Sequence, residues 1–130
     1  MKYVYPVVFT PLDEGGFDAY APDLSFCRTC GDNLADAIEM AEDAIAMWLW
    51  DAENKNETIP TASESIVYDP PQFINMIVAD TDAYRRQMDY RTIKKTLMIP
   101  AWLNYRAEEE HVDLSNILQN ALKTYLNIAD

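Results

Sequence analysis

A chain of 130 residues with 49% apolar content is long enough for one ordinary domain or two very small ones. Its mean hydropathy is −0.25, and its longest apolar run, at 44–50, is far short of the roughly 18 residues that a bilayer-spanning helix needs. The net charge of −12 is unevenly placed: residues 1–82 carry three basic and sixteen acidic side chains, a net of −13, whereas residues 83–130 carry seven and six, a net of +1. The first part should therefore repel nucleic acid and attract a basic partner, and the second can tolerate DNA. The N-terminus, "MKYVYPVVFTPLDEGG", has one lysine, an early proline and no small-residue cleavage site. No signal peptide is expected, and a cytoplasmic location is the default.

Along the chain, "KYVYPVVFTPL" is rich in β-branched and aromatic residues, and "GGFDAYAP" follows the turn signal "LDEGG". Together they predict a hairpin, with residues 24–29 as a third short strand. Asn33 can cap a helix, and Asp36 three residues on suits a weak capping box. Leu34, Ile38, Ala41, Ile45, Trp48 and Ala52 then recur at spacings of three and four and form an apolar stripe. Asp36, Glu39, Asp43, Asp51 and Glu53 take much of the remaining surface. The polar stretch "NKNETIPTASES" is a loop, and "FINMIV" at 73–78 is a buried-strand candidate. The first module is thus β-β-β-α-β over residues 1–82. Residues 83–93, with a short helix possible in them, form a connector.

A different pattern occupies residues 94–130. "TIKKTLMIP" places Ile93, Leu97 and Ile99 on one strand face and Lys94, Thr96 and Met98 on the other. Pro100 suits a helix start, and "AWLNYRAEEEH" follows. Asp113 can cap a second helix, in which Leu114, Leu118, Ala121, Leu122 and Tyr125 form an apolar face. One strand and two helices in under 50 residues cannot bury enough surface to be stable alone. The strand also has no partner within the module. A homodimer that pairs two such strands meets both needs.

Strand, proline-started helix, turn and capped helix over residues 94–126 resemble the ribbon-helix-helix DNA-binding fold. The resemblance implies that paired strands enter the DNA major groove. The outward positions Lys94, Thr96 and Met98 would then read bases, and the free amides around Leu114 and Ser115 would meet a phosphate. Arg85, Arg86, Arg91, Lys94 and Lys95 cluster where further phosphates would lie. Lys95 occupies an inward position where the family prefers an apolar residue, and Met98 replaces the usual polar reader.

In the first module, "PDLSFCRTCGDNLADAIEMAEDAI" resembles the P-D-L-x-G-C-x-T-x-G-D-T-x-x-E-A signature of HicB-type antitoxins. Pro22, Asp23, Leu24, Cys27, Thr29, Gly31 and Asp32 match, while Phe26 stands for a glycine and Asn33 for the capping threonine. With the flanking segments, the resemblance covers nearly the whole chain. It implies an α+β protein: a partial RNase H-like domain followed by a ribbon-helix-helix domain that dimerises and binds DNA. It further implies an antitoxin that binds and blocks a HicA-type mRNA-cleaving toxin and represses its own operon by binding operator DNA. Both a dimer and a tetramer through N-terminal contacts are compatible with the sequence. Two rival readings stand beside this one: a stand-alone ribbon-helix-helix repressor with a ligand-sensing first domain, and an RNA-handling protein that uses the RNase H-like domain directly.

Cys27 and Cys30 form a CxxC, but a structural zinc site takes four ligands, and His111 is the single histidine. The pair also ends a strand instead of opening a helix, so packing and turn roles are expected. Asp13, Glu14, Asp18 and Asp23 are expected to form a solvated rim, because two-metal chemistry needs converging carboxylates. No catalytic residue, metal or cofactor is expected. His111 is read as an exposed turn residue, Trp48 as core and Trp102 as packing in the C-terminal dimer. Trp50, off the stripe, is the candidate toxin contact, since tryptophan is enriched at binding hot spots.

Overall fold

The computed structural model describes residues 1–128 and separates the chain into two compact units, Met1–Arg91 and Thr92–Asp130. The first is a four-stranded antiparallel sheet of order β3-β2-β1-β4 with helices packed on it. Its strands are β1 (Lys2–Pro11), β2 (Phe17–Tyr20), β3 (Arg28–Gly31) and β4 (Phe73–Asp80). Helix α1 (Leu34–Asn54) lies between β3 and β4 in sequence, and α2 (Thr81–Gln87) follows β4. The expected strand-strand-strand-helix-strand order is found, with two local differences. Residues 24–26 lie in turns, so the third strand begins at Arg28. The segment expected as a connector contains α2, whose Tyr84 is buried in the first unit.

The middle of β1 is buried throughout, from Tyr5 to Phe9, and its odd-numbered residues build the core under α1. Tyr5, Val7 and Phe9 are buried together with Ala37, Ala41, Ile45 and Leu49 of α1. Burying Val7, Phe9, Ile45 or Leu49 contributes about 1.5–3 kcal/mol each relative to leaving it in water. The helical stripe lies slightly rotated from the expected one: Ala41, Ile45 and Ala52 are buried, but Ala37, Ala46 and Leu49 take the remaining positions. Leu34, Ile38 and Trp48 are only partly buried at its margin. Asn33 caps α1 as expected, its side chain accepting from the Asp36 amide at 2.9 Å. β4 alternates instead of being buried throughout: Ile77 and Ala79 face the core, whereas Met76 and Val78 are exposed.

Gly31 sets how closely α1 approaches the sheet. A Cβ there would lie 2.2 Å from the Ala37 amide nitrogen and 2.6 Å from the Ala37 Cα, and backbone cannot yield cheaply. Across the unit, the Glu53 carboxylate gathers three elements. It accepts from the Tyr3 hydroxyl at 2.8 Å, the Thr81 hydroxyl at 3.1 Å and the Arg85 guanidinium at 2.9 Å. The bond to Glu53 holds the Tyr3 phenol up to about 12. Burial works to raise the Glu53 carboxyl, but the bonds from Tyr3, Thr81 and Arg85 together hold it below its ordinary 4.5.

The second unit contains α3 (Ala101–Glu109) and α4 (Leu114–Tyr125). Asp113 caps α4 by accepting from the Asn116 amide at 3.1 Å. Neither helix has a buried residue. Residues 92–100, expected as a strand, carry no assigned regular structure. A strand is defined by a hydrogen-bonding neighbour, and this unit supplies none.

Two outcomes are expected here. Gly31→Ala lowers unfolding stability by about 2 kcal/mol, read from urea midpoints. Glu53→Gln lowers stability at pH 7 by about 1 kcal/mol. A carboxyl held below its unfolded value contributes stability above that value and loses it as pH falls through the folded one. The wild-type advantage over Glu53→Gln therefore shrinks as urea melts are run from pH 7 down past 4.5.

Candidate functional site

The residues singled out in the sequence fall into three places. The first is the segment before β3. Asp23 accepts from both the amide (2.9 Å) and the hydroxyl of Ser63, and the buried Tyr5 donates its hydroxyl to the Pro60 carbonyl. Asp23 is therefore a strut that fastens the long loop before β4 onto the core. Asp18 faces Arg28 at 3.7 Å, while Asp13 and Glu14 lie exposed in the β1–β2 turn. The four acids do not form a cluster. Among the described residues, no group of three or more His, Cys, Asp or Glu is placed to hold a metal.

Cys27 and Cys30 are both free thiols in different surroundings: Cys27 is buried and Cys30 exposed. Burial pushes the Cys27 thiol above its ordinary value, which makes it a poor thiolate and an inert packing residue. Phe26, at the glycine position of the signature, has φ +60 and is 100% exposed. A bulky residue rarely holds this left-handed backbone, and Phe26 gains no packing in return. Beside it, the Trp48 indole donates to the Ser25 carbonyl at 3.0 Å. Trp50 is half-buried and meets Tyr84 edge-on, with ring centroids 5.4 Å apart. Part of Trp50 is thus engaged in holding α2 against α1.

The second place is the helical unit. Lys95, Leu97, Ile99, Leu114, Ile117 and Leu118 line a groove of about 480 Å³. Of the residues assigned to DNA, Leu114 and Ser115 stand in this groove at the start of α4. Lys94, Thr96 and Met98 do not line it, and Met98 is 96% exposed. The alternation read from the sequence is thus present between residues 94 and 99, with Lys95 on the groove side. Two of the arginines expected near phosphates are engaged elsewhere. Arg85 bonds Glu53 and, at 2.7 Å, Asn54. Arg91 makes two bonds to Asp89, at 2.9 and 2.8 Å, and these hold the Asp89 carboxyl down to about 2. His111 sits exposed in the α3–α4 turn with φ +52.

The third place is one that sequence reasoning did not assemble. Glu39, Glu42 and Asp43 of α1, Val78 and Asp80 of β4, and Tyr84 of α2 line a groove of about 300 Å³. No basic residue lines it. The i, i+3, i+4 spacing of Glu39, Glu42 and Asp43 is visible in the sequence, but the return of β4 beside them is not.

Comparisons with known proteins follow the same outline. The family described as "HicB_like antitoxin of bacterial toxin-antitoxin system" matches residues 5–123. Antitoxin HicB 1 of Photorhabdus laumondii is 39% identical over 56 residues, which span 43% of this chain and 36% of that protein. A chain of a toxin–antitoxin complex from Streptococcus pneumoniae is similar in structure at 22% identity, with 96% of this chain and 99% of that one covered and a TM-score of 0.59. The antitoxin HicB of Burkholderia pseudomallei is similar at 19% identity, with 92% and 96% covered and a TM-score of 0.53. At such identities the structural likeness concerns the fold.

Phe26→Gly is expected to raise stability by about 0.5–1 kcal/mol, because glycine holds a positive φ without strain and no packing is lost. A rise in the thermal midpoint checks this.

Proposed function

The chain belongs to the HicB-like antitoxin family of bacterial toxin–antitoxin systems, and from that premise we propose that it binds and neutralises a HicA-type mRNA-cleaving toxin and represses its own operon. The acidic first unit binds the toxin. The second unit, over residues 94–130, dimerises as a ribbon-helix-helix domain and binds operator DNA; residues 129 and 130 of it lie outside those described. The chain acts by occupancy and not by catalysis.

One observation carries this reading: an acidic sheet unit is joined to a helical unit that leaves its entire apolar face uncovered. Leu97, Ile99, Ile117, Leu118 and Leu122 are all exposed. A second copy that pairs its residues 93–99 with these would give the strand its ladder and bury the groove at once. In that arrangement Lys94, Thr96 and Met98 face the major groove, where lysine donates to guanine or phosphate, threonine bonds either way and methionine offers apolar contact. The charge of −13 over residues 1–82 supports a basic protein partner for the first unit, since opposite fields speed encounter.

The ligand-sensing alternative gains no support from the interior of the first unit. Among the described residues, the space between sheet and helix lined by Val7, Ala19, Cys27 and Ile45 is about 10 Å³, room for one water at most.

The test has two arms. Co-purification with a HicA-type toxin, sought as a small basic protein encoded beside this chain, followed by an RNA-cleavage assay, should give a complex with cleavage suppressed; cleavage unaffected by this chain would overturn the antitoxin role. Lys94→Ala and Thr96→Ala should each weaken operator binding roughly five- to tenfold, about 1 kcal/mol, without dissociating the dimer. The lysine variant should also lower the salt dependence. Unchanged affinity in both would reduce the second unit to a dimerisation element.

A further inference from the structure

β4 is an edge strand of the sheet, and the direction of its free hydrogen-bonding groups follows from the register. The Thr81 amide donates to the Met1 carbonyl, and those two positions continue the β1–β4 pairing in which Lys2 faces Asp80 and Tyr3 faces Ala79. In an antiparallel ladder, bonded and non-bonded pairs alternate. Ala79, Ile77, Asn75 and Phe73 therefore bond β1, and the amides and carbonyls of Ile74, Met76 and Val78 point outward. No described segment pairs with them.

Proteins blunt such edges with lysine, proline, bulges or a covering loop. β4, "FINMIVAD", carries one charge, at its last residue, and no lysine or proline. Met76 and Val78 are 57% and 51% exposed, on the sheet face away from α1. On the α1 side of the edge runs the groove walled by Glu39, Glu42 and Asp43, with Val78 and Asp80 at its rim. Asp80 lies 3.8 Å from the terminal amine; Glu39, Glu42 and Asp43 form no ion pair among the described residues.

We infer that the outer edge of β4 is where the toxin docks, by adding one extended, basic segment to the sheet as a fifth strand. This rests on the antitoxin reading. Strand addition satisfies the outward amides and carbonyls. The alternating side chains of the incoming strand then meet two different walls. Those on the α1 side reach Glu39, Glu42 and Asp43 and must be cationic; those on the other side cover Met76 and Val78 and must be apolar. A second copy of this chain fits poorly, because it brings the same carboxylates to the same groove and like charges across an interface are costly.

The experiment measures affinity of the full-length chain for an inactivated variant of the HicA-type toxin of the proposed function, by calorimetry at two salt concentrations. Met76→Pro removes an outward amide, leaves the β1 bonds in place and blocks strand addition. Glu42→Lys with Asp43→Lys reverses one wall. Each should weaken binding at least tenfold, and the charge reversal should flatten the salt dependence. Asp13→Lys with Glu14→Lys, an equal charge change in the β1–β2 turn, should stay within twofold of wild type. Circular dichroism reports folding; if Met76→Pro unfolds the chain, the contrast between the two lysine pairs decides. Wild-type binding with no difference between those pairs overturns the edge assignment and leaves the antitoxin reading intact. Loss of a homo-oligomer in Met76→Pro with toxin affinity unchanged assigns the edge to a second copy and also overturns it. Failure of the wild-type chain to bind the toxin at all sinks the antitoxin reading itself.

Discussion

The close seat of α1 on the sheet, permitted by the missing side chain at Gly31, is the contact on which the first unit depends. With only about 90 residues to work with, a single long helix must supply most of the cover for β1, and small residues at Ala37, Ala41 and Ala52 let it lie close. The helix face of the sheet is filled by Tyr5, Val7, Phe9 and Leu49. On the reverse, Pro6 and Val8 of β1 are buried as well, while Val4, Met76 and Val78 toward the β4 edge are exposed. A sheet that keeps an unguarded edge is open to pairing with another chain.

Charge and shape then divide the labour. Glu39, Glu42 and Asp43 of α1 add nothing to the core, and without ion pairs among the described residues they cost the folded state self-repulsion. Such a face is explicable if a basic partner neutralises it. The second unit carries almost no net charge and its deficit is apolar: Ile93, Leu97, Ile99, Ile117, Leu122 and Leu126 are exposed because one strand's worth of chain and two short helices cannot enclose them. Each unit leaves something that association would satisfy, charge and an open edge in the first and uncovered apolar surface in the second.

Glu53 illustrates how a polar residue can decide a packing arrangement. Read along α1, it is one more acid on the solvent side. In the folded chain it ties the start of β1 and the first turns of α2 to the end of α1 in one hydrogen-bonded knot. Its partners lie 50, 28 and 32 residues away, so no local spacing marks it. Asp23 is a second case: an acid near the early strands that resembles a candidate for metal chemistry turns out to brace the loop at Ser63.

By itself the sequence determined what depends on neighbours along the chain: the strand-strand-strand-helix-strand order of the first unit, the two helices after Pro100, the Asn33 and Asp113 caps, the Ala41–Ile45–Ala52 stripe and the imbalance of charge between the halves. These follow from periodicity, capping geometry and composition, all of which act within a few residues. Tertiary structure decided what depends on residues distant in sequence. It turned the stripe by one position toward Leu49, started the third strand at Arg28 once Leu24 was folded inward, and buried Cys27 while exposing Cys30. It also made half of "FINMIV" a surface and set its edge beside the carboxylates of α1. Chain reversals and helix rotation set those distances, and a one-dimensional pattern carries no information about which face a returning strand will meet.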